Sequence, residues 1–184
     1  PVITLNGEAT LEHEAGTTYT DAGATAIDNI DSTVSVMTSG TVDEAVPGTY
    51  TLTYAASDEA GNAATALTRT VVVVDTIPPV ITLLGDADVN HEAGTAYTDA
   101  GATVTDSFDA TVTVTTSGTV DENMPGSYTL TYTAIDAAGN AATELTRTVV
   151  VADTTPPVIT LVGDASVNHE AGTAYTDAGA TVTD

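Results

Sequence analysis

Apolar and polar residues alternate with a period of two along most of this chain, and no stretch repeats with the 3.6-residue period of a helix. In Tyr50-Thr51-Leu52-Thr53-Tyr54 the tyrosines and the leucine share one face and the threonines the other, as in a half-buried strand. Val34 and Val36 alternate with Ser35 and Met37. In a second copy of the same stretch Val112 and Val114 are kept while Thr113 and Thr115 replace the intervening pair, so the valines face inward. By the same comparison Ala26 becomes Val104 and Ile27 becomes Thr105, which turns position 26 to the core and position 27 to solvent. Val71 to Val74 is an unbroken apolar run whose inward parity the pattern leaves open. Clusters such as Glu14-Ala15-Gly16, Pro47-Gly48 and Asp58-Glu59-Ala60-Gly61-Asn62 punctuate the strands. Seven short strands are predicted per copy, at 2–5, 9–12, 22–27, 33–38, 41–44, 49–57 and 65–75 in the first. With no helical stretch, this implies an all-β, antiparallel sandwich.

The copies set the organisation of the chain. Pro-Val-Ile-Thr-Leu begins at Pro1, Pro79 and Pro157, a spacing of 78 residues each time. Residues 1–78 and 79–156 are identical at 56 of 78 positions, and 157–184 match 79–106 at 26 of 28. A unit of this length is too long for a solenoid turn and suits a small independent domain. The expected domains are therefore 1–78 and 79–156, with 157–184 the first strands of a third. The joints fall at Asp75-Thr76-Ile77-Pro78-Pro79 and Asp153-Thr154-Thr155-Pro156-Pro157. Paired prolines fix φ and bias the preceding residue toward extended backbone, so a short, stiff connector and an end-to-end arrangement are expected.

Composition narrows the function. Of 184 residues, 2 are Lys or Arg and 26 are Asp or Glu, a formal net charge of −24. That charge makes nucleic acid and anionic membrane poor partners. Only Arg69 and Arg147 are fixed cations, so most carboxylates must be solvated, screened or shared with a bound cation. At 42% apolar residues the chain is too hydrophobic to be disordered. There is no Cys, hence no disulfide or thiolate zinc site, and no apolar run long enough to span a bilayer. Pro1 follows no basic, apolar leader, and the expectation is that a signal was removed or that the sequence is an excerpt.

The ordered motifs DTxPPVITL, HEAGTxYTDAGA, PGxYTLTY, DxAGN and TRTVVV resemble the bacterial Ig-like repeats found beside a pesticidal crystal protein and in large bacterial surface adhesins. They are also similar to the hyalin repeat. The resemblance implies tandem small antiparallel Ig-like β-sandwiches joined end to end by Pro-Pro linkers, an extracellular or cell-surface location, and no catalysis. It also implies a tyrosine corner at Tyr50, just after Pro47-Gly48. Relatives of this kind carry an Asp-x-x-Asp-Gly-Asp loop where this chain has Asp28-Asn29-Ile30-Asp31-Ser32-Thr33 and Asp106-Ser107-Phe108-Asp109-Ala110-Thr111; the third acid is absent from both loops.

Ig-like topology gathers the loops after strands B and F at one pole, here the loops that follow 22–27 and 49–57 and their copies. Asp106, Asp109, Asp136 and Asn140 should then meet the incoming linker at Asp75, with Glu14 and Glu44 approaching from the preceding repeat. The matching positions Asp28, Asp31, Asp58 and Asn62 in the first copy, and Asp153 and Asp184 toward the third, extend the set. These are hard oxygen ligands of the kind calcium takes. Two readings stay open: ordinary turns in which Asx side chains cap backbone amides, or calcium that stiffens the joint.

His13, His91 and His169 recur in His-Glu pairs without the second histidine of a helical zinc motif, so locally bonded strand-edge histidines are expected. Thr-x-Thr runs suit a solvated strand face, and sheet twist argues against a flat ice-binding array. No nucleophile motif or phosphate loop occurs, and with no Trp and one Phe a sugar-stacking floor is lacking. The chain therefore reads as a non-catalytic spacer, or stalk, of a long extracellular bacterial protein. Its partners are neighbouring repeats of the same chain. The alternatives are a cell- or glycan-binding adhesion module, and a filament subunit that pairs with like chains by strand exchange through 157–184.

Overall fold

The computed structural model describes residues 1–184 and is built from strands and turns. No helix is long and apolar enough to cross a membrane. The first repeat forms β1 (Val2–Leu5), β2 (Thr10–Glu14), β3 (Ala24–Ile27), β4 (Val36–Ser39), β5 (Gly48–Ala56) and β6 (Leu67–Val74). The second forms β7 (Val80–Leu83), β8 (Asp88–Glu92), β9 (Ala102–Thr105), β10 (Thr115–Ser117), β11 (Gly126–Thr133) and β12 (Leu145–Ala152). β13 (Val158–Leu161) and β14 (Ala180–Thr183) follow. Each full repeat splits its strands between a two-stranded and a four-stranded sheet, β1-β3 with β2-β6-β5-β4 and then β7-β9 with β10-β11-β12-β8.

Two features depart from the expected pattern. The sandwich is not purely antiparallel, because β2 runs parallel to β6, with Leu11 opposite Val71, and β8 runs parallel to β12. Residues 6–9 carry the chain from one sheet to the other instead of closing a hairpin, so nothing requires the next strand to reverse. Residues 41–44, expected as a strand, form a turn segment. There the Asp43 carboxylate accepts the Ala45 amide at 3.0 Å, and the Glu44 carbonyl and carboxylate accept the amides of Gly16 and Tyr19 at 2.8 and 2.6 Å. The preceding Gly40 sits at φ +96°, where a Cβ would collide with the Thr51 carbonyl oxygen.

Side-chain parity follows the alternation. Leu52, Tyr54 and Ala56 of β5 are buried, Val34 and Val36 pack against them, and Met37 is exposed. Ala26 lies against the same core while Ile27 is exposed. On β6 the inward residues are Arg69, Val71 and Val73, which settles the parity of the valine run. The Tyr50 hydroxyl donates to the Val46 carbonyl at 2.7 Å, and Tyr128 does the same to Met124 at 2.8 Å, so both repeats have the tyrosine corner.

The chain divides into two compact units. One comprises Pro1–Thr82, Ala102–Thr115 and Tyr132–Glu144. Its core is formed by Ile3, Leu52, Tyr54, Ala56, Val71 and Val73, with Phe108 packed beside Ala15. The other comprises Leu83–Gly101, Thr116–Thr131 and Leu145–Asp184, with Leu130, Arg147, Val149 and Val151 as its buried residues.

Candidate metal centre

In the first unit the Asp75 segment meets two Asx loops of the second repeat. Carboxylate oxygens of Asp75, Asp109 and Asp136 all lie within 4.8 Å of one another. Each loop is held by its own amides. Asp106 Oδ1 accepts the backbone N–H of Phe108 and Asp109 at 2.8 and 2.9 Å, and Asp109 Oδ2 accepts that of Ala137 at 2.7 Å. Asp136 takes the backbone and side-chain N–H of Asn140 at 2.7 and 2.8 Å. Asn140 Nδ2 also donates to the Asp75 carbonyl at 3.1 Å, tying that segment to the turn. Asx capping is thus real here, but it leaves oxygens over. Asp75 Oδ1 accepts the Ile77 amide at 3.2 Å, whereas Asp75 Oδ2 and Asp106 Oδ2 are buried with no hydrogen-bond partner.

The electrostatics separate the members. Burial pushes the Asp75 carboxyl above the usual range, the charges of Asp136, Asp106 and Glu14 add to this, and the Ile77 amide opposes it. Burial also acts upward on Asp136, but the amides of Asn140 outweigh it and hold the carboxyl below the usual range. A cavity of about 320 Å³ opens beside Val74, Asp75, Phe108 and Asp109.

The remaining candidate residues are placed differently. Glu14 accepts the amide and hydroxyl of Thr76 at 3.0 and 2.6 Å, and Glu44 is committed to Tyr19, so neither enters the carboxylate cluster. Asp28, Asp31 and Asp58 form a second triad with the same capping, Asn62 bonding Asp58 through its backbone and side chain at 2.7 and 2.8 Å. All three acids of that triad are half-buried, and none has an orphaned oxygen. Asp153 and Asp184 are exposed and join neither cluster. The histidines are bonded locally: His13 Nε2 lies 2.9 Å from the Thr17 carbonyl and its ring stands edge-on to Tyr19.

A second polar centre has no motif in the sequence to mark it. Arg69, 1% exposed, pairs with Asp21, donates to the Tyr54 hydroxyl at 3.0 Å and to the Glu8 carbonyl at 2.9 Å, and reaches the Asn6 carbonyl. Arg147 repeats the arrangement with Asp99 and the carbonyls of Asp86 and Leu84. Each arginine stands two residues before an inward valine, but the unbroken apolar run hides that parity in the sequence and only the structure reveals it.

Strand order, the tyrosine corner and the two-sheet core define an Ig-like sandwich repeated in tandem. The profile described as "Bacterial surface protein, Ig-like domain" matches residues 3–73 and 81–151, and the chain belongs to that family. It is 35% identical over 180 residues to hyalin of Lytechinus variegatus, covering 88% of this chain and 33% of the hyalin. It is 31% identical over 136 residues to hyalin of Strongylocentrotus purpuratus, covering 70% and 11%. The chain therefore spans about a third or less of the length of these relatives. Among solved structures, the fibronectin(III)-like modules of Clostridium thermocellum CbhA align over 82% of this chain and 94% of theirs at 18% identity and a TM-score of 0.35. A lipoprotein of Bacteroides thetaiotaomicron aligns over 42% and 39% at 32% identity and a TM-score of 0.36.

Proposed function

We propose that this chain is a non-catalytic spacer of a long extracellular bacterial surface protein, a stretch of stalk that holds a separate adhesive tip away from the cell. The observation that carries this reading is where the cations are. Binding surfaces concentrate energy in arginine and aromatic anchors, yet Arg69 and Arg147 are each 1% exposed and serve the interior of their own repeats. Tyr54 and Tyr132 are fully buried, and Tyr50 and Tyr128 are engaged by their corners. Apart from scattered apolar side chains such as Ile27, Ile30, Met37 and Met124 and the exposed Tyr175, the repeats present threonine, small residues and carboxylates to solvent, a surface with few anchors for a partner. Nearly identical copies add length without adding new recognition. The partners of each repeat in this reading are its neighbours in the same chain.

Cell and glycan adhesion tests the reading directly. The whole 184-residue chain, immobilised on beads, is expected to bind neither bacterial or host cells nor a glycan array, and to extend the reach of a binding domain grafted to its end. Adhesion of the chain without such a graft would replace the spacer by an adhesion module.

A further inference from the structure

We infer that the chain binds one calcium ion between the carboxylates of Asp75, Asp109 and Asp136, with Asp106 completing the oxygen set. This goes beyond the spacer reading and does not depend on it.

The first observation is convergence: three carboxylates drawn from the Asp75 segment and from two separate loops place oxygens within 4.8 Å of one another. The second is independent of it. Asp75 is 7% exposed and Asp136 8%, and the Oδ2 atoms of Asp75 and Asp106 are buried without a hydrogen-bond donor. Buried polar oxygens are nearly always partnered, and buried carboxylates are paired with a cation or coordinate a metal. A protein cation is not available for the purpose. The chain has two arginines and no lysine, and both arginines are held by Asp21 and Asp99. The backbone amides, for their part, are directed to the other oxygens of these same side chains: Ile77 to Asp75 Oδ1, Phe108 and Asp109 to Asp106 Oδ1, and Ala137 to Asp109 Oδ2. One oxygen each of Asp75, Asp106 and Asp109 is thereby fixed while the other is left to a ligand, and both oxygens of Asp136 are oriented by the N–H groups of Asn140.

The donor set selects the ion. Calcium accepts six to eight oxygens at flexible geometry, whereas magnesium keeps most of its water and uses one or two carboxylates. Zinc draws on nitrogen and sulfur, and the chain has no cysteine, while its histidines are bonded to their own threonines. The triad Asp28, Asp31 and Asp58 provides an internal control. It has the same loop chemistry, but Asp28 Oδ2 is paired with the Pro1 ammonium at 2.9 Å and no buried oxygen of the triad lacks a partner, so no site is assigned to it.

The test is isothermal titration of calcium chloride into the chelator-treated full chain near neutral pH, with circular dichroism to confirm that each variant folds. The expected result is one ion per chain, bound at about 1 mM or tighter, the range of extracellular calcium modules. Asp75→Asn and Asp109→Asn should each weaken binding at least tenfold, as even the loss of an outer-shell partner of a metal can do, and Asp58→Asn should leave it unchanged. Two such variants are used so that a folding failure of one leaves the other to decide. Absence of calcium binding at several times that concentration, magnesium binding as tightly as calcium, or equal losses in Asp58→Asn and Asp75→Asn would each overturn the site. So would a gain in melting temperature on Asp75→Asn that is the same in calcium and in EDTA, which would show that a proton rather than an ion occupies the cluster.

Discussion

Arg69 shows how one residue is made safe in an apolar core. A guanidinium on an inward position of β6 is tolerable only because Asp21 supplies the counter-charge and Glu8, Asn6 and Tyr54 accept its remaining N–H groups. Asp21→Ala leaves that charge buried and should cost about 3–5 kcal/mol, seen as a lower urea midpoint, and Asp99→Ala should do the same through Arg147. A loss below about 1 kcal/mol, the level of an exposed pair, would mean that solvent reaches the guanidinium. The Asp21 carboxyl is pushed up by burial, but Tyr54 and Arg69 together hold it below its ordinary value. A lowered folded value means that the contribution is complete above the unfolded value of about 3.9 and is lost as pH falls through the folded one.

Elements are fixed at their ends. Glu92, the last residue of β8, accepts the amides of Thr154 and Thr155 at 3.0 and 3.1 Å and both hydroxyls. The Thr154 hydroxyl and amide, with Thr155, hold its carboxyl down at about 2. This contact should therefore stabilise the fold above about pH 4.3 and fade as pH falls toward the folded value of about 2. Acid melts of Glu92→Gln should lack that slope, and a slope equal to that of the parent chain would assign it to other carboxylates. At the other edge, Gly40 at φ +96° lets residues 41–44 leave the sheet, and Gly40→Ala should lower stability by more than about 1 kcal/mol in thermal melts. The tyrosine corner is a single hydrogen bond at 2.7 Å, so Tyr50→Phe should cost about 0.5–1.5 kcal/mol in the same measurement.

At the scale of the whole molecule, a charge of −24 makes stability respond to salt. Melting temperature should climb with sodium chloride between low and physiological ionic strength, and a flat curve would show that the carboxylates are already neutralised. β13 and β14 pair only with each other, and Ile159 is 70% exposed where its counterparts Ile3 and Ile81 are 7% exposed. Much of this was legible in the sequence: alternation delimited β5 almost to the residue, comparing copies turned Val34 and Val36 inward, and the family resemblance implied the tyrosine corner. The segment at 41–44 was not legible, because its alternation is strand-like and only contacts with Gly16 and Tyr19 divert its backbone. Nor were the Asp21 and Asp99 partnerships, which join residues 48 positions apart.

By itself the sequence determined the all-β class, the period of 78, the inward face of most strands and the shortage of cations, because each is a local or compositional property that side-chain alternation and counting express directly. Only the tertiary structure decided that β2 runs parallel to β6, that both arginines are interior, and that of the many acids Asp75 and Asp106 are left holding buried oxygens without donors. Burial and hydrogen-bond partnership depend on which distant segments meet. A pattern along the chain carries the face a residue presents, not the neighbour that covers it.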